Sequence, residues 1–196
     1  MGRPRNFDVD KALLAAINVF WEKGYDGASM KDLTEEMGIN SPSLYSVFGD
    51  KKSLYIQAIK RYVASDTCPP LDAFNEEEDI TKAVRAFLET SLEHATQQSI
   101  GRKGCFMSNC VSTTTASVEE SQVLLLEAIV LADKKIAQRF DKEKAKGALP
   151  ETFPSFERAK LMFDLRQGYV LRARAGIRKD EMERDLDYRV SIILSL

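Results

Sequence analysis

Histidine occurs once in this sequence, at His94, and cysteine three times, at Cys68, Cys105 and Cys110. A single imidazole leaves hydrolytic and metal-centred chemistry little to build on. No Gly-x-Ser-x-Gly elbow, phosphate-cradling glycine loop or zinc-ligand spacing accompanies it. An enzyme reading therefore rests on Cys105 as a thiol, with no base identifiable near it. An odd number of cysteines in a chain with no export signal argues against structural disulfides. Apolar runs of membrane-spanning length are absent too. The opening Met1-Gly2-Arg3-Pro4-Arg5 is polar and basic, so a soluble cytoplasmic protein with no membrane partner is expected. A large excess of one charge is also missing, since the formal net charge is -2. Basic and acidic residues number 9 and 8 over positions 1–62, and 19 and 22 over the rest. That small asymmetry favours the N-terminal part as the one that meets nucleic acid.

What the chain does hold is apolar periodicity. Its hydrophobic fraction of 44% in 196 residues suffices for the core of one large domain or two small ones. The informative stretch runs from Ser29 to Lys51. Ser29 is a helix cap, and Leu33 and Met37, four apart, share one face. Gly38 permits a left-handed turn. Asn40 caps a second short helix, with Pro42 in its first turn, where a missing N–H costs nothing. Leu44 and Phe48 point inward, leaving Ser41, Ser43 and Tyr45 facing out. Two short helices joined by a glycine turn, with a small polar outer face on the second, have the layout of a DNA-reading helix-turn-helix.

The flanking segments fit that layout. Arg3 and Arg5 form either an arm along phosphates or in a minor groove, or a plain solvated terminus. Asp8 caps a first helix carrying Val9, Leu13, Ala16, Ile17 and Phe20, ending at Gly24. Asp50 caps a further helix with Leu54, Tyr55, Ala58, Ile59, Tyr62 and Val63. Lys51, at its start, and Tyr45 together can grip one phosphate backbone.

These residues carry a family resemblance. Phe20-Trp21-Glu22-Lys23-Gly24-Tyr25, Ser29-Met30-Lys31-Asp32-Leu33, Met37-Gly38-Ile39-Asn40-Ser41-Pro42-Ser43-Leu44-Tyr45-Ser46-Val47-Phe48 and Lys51-Lys52-Ser53-Leu54 place residues 9–63 close to the N-terminal domain of the TetR/AcrR transcriptional regulators. The resemblance implies that Ser29, Tyr45 and Lys51 touch phosphates. It implies that Ser41, Pro42, Ser43 and Phe48 belong to or flank the recognition helix. Pro42-Ser43 stands where many members carry glycine and threonine.

The remainder is expected to be helical as well. Cys68-Pro69-Pro70 stops the fourth helix, and Glu76-Glu77-Glu78-Asp79 reads as a solvated loop or a first turn. Long helices are expected over about 80–98 and 118–140. Helices at about 156–176 and 181–196 carry small residues at Gly168, Ala173, Ala175 and Gly176. These last two either pack within one monomer or form a four-helix interface with a second copy.

Between the long helices lie Cys105 and Cys110. A helix starting at Gly104 would put Cys105 in its first turn, where a thiol pKa falls. Five positions is about 140° around an ideal helix, so one ion held by both needs a bend, or help from Met107 or His94. Thiolate and thioether ligands favour Cu(I). The alternative is two small residues packing a core. The string Gly104-Cys105-Phe106-Met107, then Asn109-Cys110 and Thr113-Thr114, resembles the copper-responsive, ComR-like branch of the same family, which implies a sensor role for both thiols.

The expected fold is all-α. A helix-turn-helix domain over 1–64, with its linking helix at about 51–64, precedes a helical effector-binding and dimerisation domain over 65–196. The expected function is sequence-specific operator binding by a ligand-released homodimeric repressor, with no required cofactor. The effector would be a small molecule or Cu(I), in a pocket among Phe87, Phe106, Met107, Phe140, Met162, Phe163 and Tyr169. A thiol-dependent enzyme or redox or metal sensor acting through Cys105, and a purely structural helical dimer, are the alternatives.

Overall fold

A computed structural model describes residues 7–65, 68–96 and 105–195. Among them all regular structure is helical, and no helix is long and apolar enough to cross a membrane. Two compact units emerge. Among the described residues, the first comprises 7–65 and 106–126; the second comprises 68–96, 105 and 127–195. Residues 106–126 thus group with the N-terminal helices.

The first unit is built on α1 (Val9–Gly27), α2 (Met30–Met37), α3 (Ser41–Phe48) and α4 (Lys51–Ala64). Asp8 opens α1 by accepting from the amides of Asp10 and Lys11, at 3.0 and 3.2 Å. Gly24, at φ 73°, breaks the helical path inside α1, a conformation that costs glycine nothing. Ala16, Ile17 and Phe20 of α1 are buried, as are Leu54, Tyr55, Ala58 and Ile59 of α4. Burying each large apolar side chain contributes about 1.5–3 kcal/mol. Two further pieces complete this unit: α7 (Phe106–Asn109) and a 3-10 turn at Val111–Thr113. Helix α7 is a single turn, and Cys105 directly precedes it.

The second unit holds α5 (Pro69–Glu76), α6 (Ile80–Thr96), residues 127–145 of α8 (Glu119–Ala145), α9 (Ser155–Arg174), α10 (Lys179–Glu183) and α11 (Leu186–Leu194). Helix α5 corrects a sequence expectation. Pro69 and Pro70 do not only end one helix; they occupy the first positions of another, where proline is pre-organised. The final helix is corrected too, since it breaks at Arg184–Asp185 into α10 and α11. Phe74, Phe87, Leu88, Phe140, Phe153, Met162 and Tyr169 lie in one core cluster. Inside it sits a charged group. Arg139 donates to the carbonyls of Phe74 and Glu77 at 2.6 Å, to those of Asn75 and Glu78 at 3.2 and 3.3 Å, and to Glu143 at 2.9 Å. The end of α5 leaves these carbonyls without intrahelical partners, and the guanidinium supplies them.

Candidate nucleic-acid interface

Local chemistry sets the geometry of α2 and α3. The Ser29 hydroxyl accepts from the Asp32 amide at 3.0 Å, and the Asp32 carboxylate accepts from the Ser29 amide at 2.9 Å. This reciprocal capping box fixes the first turn of α2. Lys23 reaches the same carboxylate at 2.6 Å. That contact first, and the Ser29 hydroxyl and amide after it, hold the Asp32 carboxyl far below its usual range. Gly38 closes α2 at φ 65°, ψ 29°. Asn40 opens α3 by accepting from the Ser43 amide at 2.9 Å, and Asp50 opens α4 by accepting from Ser53 at 2.7 Å. Gln57 of α4 donates to the Phe48 carbonyl at 2.9 Å, and Arg61 of α4 pairs with Asp10 of α1.

Leu33, Met37, Leu44 and Phe48 are buried, so α3 turns the opposite face outward. Ser41, Pro42 and Tyr45 are exposed on it, Ser43 is half-buried, and Tyr45 shows 53% of its surface. Lys51 is half-buried, with its Nζ 4.8 Å from the Tyr25 ring centre and 3.5 Å from the Asp26 carbonyl. Ser29 is exposed, but its hydroxyl is already committed to Asp32 at 2.6 Å. Phe48, the last residue of α3, is 2% exposed and packs against Phe7 at 6.2 Å between ring centres, on the inward face of the helix. Arg3 and Arg5 lie outside the described residues. The sequence reading missed Ser46, exposed one turn beyond Pro42, and Lys31, whose side chain is 82% exposed on α2. The four-residue spacing from Pro42 was the available signal for Ser46.

A second set of groups lies behind this face. The Tyr55 hydroxyl is 3.4 Å from the Cys110 sulfur and 3.0 Å from Thr114 Oγ1. Cys110 donates to the Phe20 carbonyl at 3.2 Å, and Thr114 donates to Val111 at 2.9 Å. With those two protons spent, the Tyr55 proton is the one shared between Thr114 and Cys110. Burial pushes the Cys110 thiol above its usual value and outweighs the Tyr55 hydrogen bond; burial, then Cys110, raises the Tyr55 phenol as well. The node ties α1, α4 and the segment after α7 together inside the first unit.

The expected pocket residues divide between the units. Phe106 and Met107 are buried in the first. Phe87, Phe140, Met162 and Tyr169 lie in the core of the second, and Phe163 is half-buried with the Arg166 guanidinium 6.0 Å from its ring centre. Tyr169 is fully buried with its hydroxyl unpartnered, and burial pushes its phenol up to about 12. Cys105 is buried, and no disulfide links the described cysteines. Among the described residues no cluster of three His, Cys, Asp or Glu side chains is placed to hold a metal ion. Met182, Leu186, Val190 and Ile193 are spent on the unit's own core. Phe156 and Leu171 of α9 and Tyr188 of α11 remain exposed.

Comparison with known proteins bears on this geometry. Residues 12–58 match the family model described as bacterial regulatory proteins, tetR family. The HTH-type transcriptional repressor ComR of Escherichia coli (strain K12) is 27% identical over 176 residues, 89% of this chain and 83% of that protein. The HTH-type transcriptional repressor BdcR of the same organism is 32% identical over 106 residues, 54% of this chain and 53% of its own length. Among solved structures, a cysteine mutant of the TetR family transcriptional regulator CifR, complexed with 26-bp double-strand operator DNA, superposes with a TM-score of 0.83. It is 26% identical, and the match covers 96% of this chain and 98% of that one.

Proposed function

We propose, proceeding from a chain that belongs to the TetR family and is a DNA-binding transcriptional regulator, that it works in the cytoplasm as a homodimeric repressor released from its operator by an effector. The observation that carries this reading is the outer face of α3. Ser41, Pro42, Tyr45 and Ser46 stand exposed there, on a helix capped by Asn40 and held by Gln57. A short helix presented in this way fits a major groove, and a dimer presents two such helices to half-sites one helical turn apart. Tyr45 and Lys51 hold the backbone, and the small residues at 41–43 approach base edges. With a net charge of -2, specificity rests on placement more than on bulk attraction.

Dimerisation is assigned to the exposed faces of α9 and α11, around Phe156, Leu171 and Tyr188. Exposed large apolar side chains of this kind are what an isologous interface covers. Release is a population shift: the effector prefers a form in which α4 moves and the recognition helices lose their operator spacing. The effector is a small organic molecule in the second unit, or an agent acting on Cys105 and Cys110. The position of Cys110 favours the second form, because its sulfur bonds directly to α1 and lies against α4.

The test is an operator selected from random DNA, followed by titration with Cu(I), with a thiol-modifying agent and with candidate organic compounds. The same titrations are repeated on Cys105→Ser and Cys110→Ser. Release that ignores both substitutions removes the thiol reading. Failure to select any operator removes the regulator reading itself.

A further inference from the structure

Away from the α3 face, the start of α9 carries a set of unmet donors. A 20-residue helix begins at Ser155, and Pro154 at its cap position has no hydrogen-bonding side chain to offer. The first helical bond runs from the Arg158 amide to the Pro154 carbonyl, which leaves the amides of Phe156 and Glu157 without partners among the described residues. Such an end carries a partial positive charge and a ring of N–H groups. Ser155 is 8% exposed, and its hydroxyl has no hydrogen-bond partner. An unmet buried hydroxyl costs about 1–3 kcal/mol, so its retention points to something that binds it.

These donors line a groove of about 450 Å³. That volume lies within the roughly 300–1,000 Å³ of small-molecule sites. Lys134 and Lys144 of α8 belong to its lining as well. Lys134 makes no ion pair among the described residues, and Lys144 reaches Asp141 only at 3.9 Å. Asp141 and Glu157, also in the lining, balance the two lysines, so the groove carries no surplus charge. A dianion gains nothing there from bulk attraction, whereas one carboxylate meets directed donors. Phe153 and Ala137 supply an apolar wall for the rest of a ligand.

We infer that this groove is a binding site for a small organic monocarboxylate, whose oxygens meet the α9 N-terminus, the Ser155 hydroxyl and Lys134. The site lies wholly within the second unit and is independent of the DNA-binding reading.

The test uses the full chain, with benzoate as the probe and inorganic phosphate as the dianionic comparison, by calorimetric titration at constant ionic strength. Two variants accompany it. Lys134→Gln removes the charge. Ser155→Asp places a carboxylate at the start of α9, which favours the helix while filling the site. Benzoate is expected to bind one site per chain, at least tenfold more tightly than phosphate. Binding should weaken at least fivefold in Lys134→Gln and vanish in Ser155→Asp, whose melting temperature should equal or exceed that of the unsubstituted chain. Three results overturn the inference: no benzoate binding, preference for phosphate, or benzoate binding unchanged in Ser155→Asp. None of these readouts involves DNA, so a failed operator selection and a failed titration are separate outcomes.

Discussion

The Tyr55 hydroxyl stands 3.4 Å from the Cys110 sulfur, across 55 positions of sequence. The same hydroxyl is 3.0 Å from Thr114, and the sulfur bonds the Phe20 carbonyl. A single buried phenol thus joins the helix that supports α3 to the segment after α7.

Removing that phenol oxygen has a measurable cost. Tyr55→Phe leaves its buried partners short of one bond and should lower stability by about 1–2 kcal/mol in urea denaturation. Cys110→Ser keeps a donor to Phe20 and should cost less than Tyr55→Phe. The alkaline side separates these effects further. An acid whose folded pKa is raised binds its proton more tightly in the fold, so its contribution is whole below the unfolded value and is lost as pH rises beyond it. Stability should therefore fall above the thiol's ordinary value of 9.0, with a shallower fall in Cys110→Ala.

Tyr45 and Phe48 lie three apart on one helix and should fail in different ways. Tyr45→Ala removes an exposed ring and should weaken operator binding at least tenfold, with melting temperature and dimerisation unchanged. Phe48→Ala opens a cavity in the core and should cost about 3–5 kcal/mol of stability. Gel-shift titration beside thermal melts distinguishes them. Tyr45→Ala with full operator affinity would remove the α3 face as the DNA contact.

Asp32 has the opposite sign to Cys110. Its carboxyl is depressed in the fold, so the stability it contributes is whole above the unfolded value of 3.8 and is lost as pH falls below it. Melts of the unsubstituted chain and Asp32→Asn between pH 2 and 7 should converge at the acid end and separate above about pH 4. Parallel curves across the whole range would mean that the capping box and the Lys23 contact contribute nothing net.

Arg139 has the largest expected effect in the second unit. Arg139→Met strips partners from the carbonyls at the end of α5 and leaves Glu143, 2% exposed, with Lys146 alone. The loss should reach about 3–5 kcal/mol, as for other broken buried pairs. Adding Glu143→Leu should restore part of it, because two well-packed apolar chains need no compensation.

Much of the α3 face was legible because its causes are local. Ser29, Asn40 and Asp50 cap within three residues of themselves, and Gly38 turns the chain by its own φ. Tyr45 was readable from the same helical period. The period also reads Phe48 as inward, and the structure buries it. Helix α5 escaped notice because Pro69-Pro70 carries two meanings, and only the chain beyond decides between stop and start. The break at Asp185 was hidden because apolar residues keep helical spacing across it.

By itself, then, the sequence determined the all-helical class, the helix-turn-helix and its caps, because short-range hydrogen bonding and periodicity need only near neighbours. Tertiary structure decided what depends on distant partners. It brought Cys110 to Tyr55 and Phe20, and it turned Met182, Leu186, Val190 and Ile193 onto the chain's own core. It also left the Ser155 hydroxyl unmet at the start of α9. Those outcomes depend on which surfaces find one another when the chain packs, and no local rule encodes that.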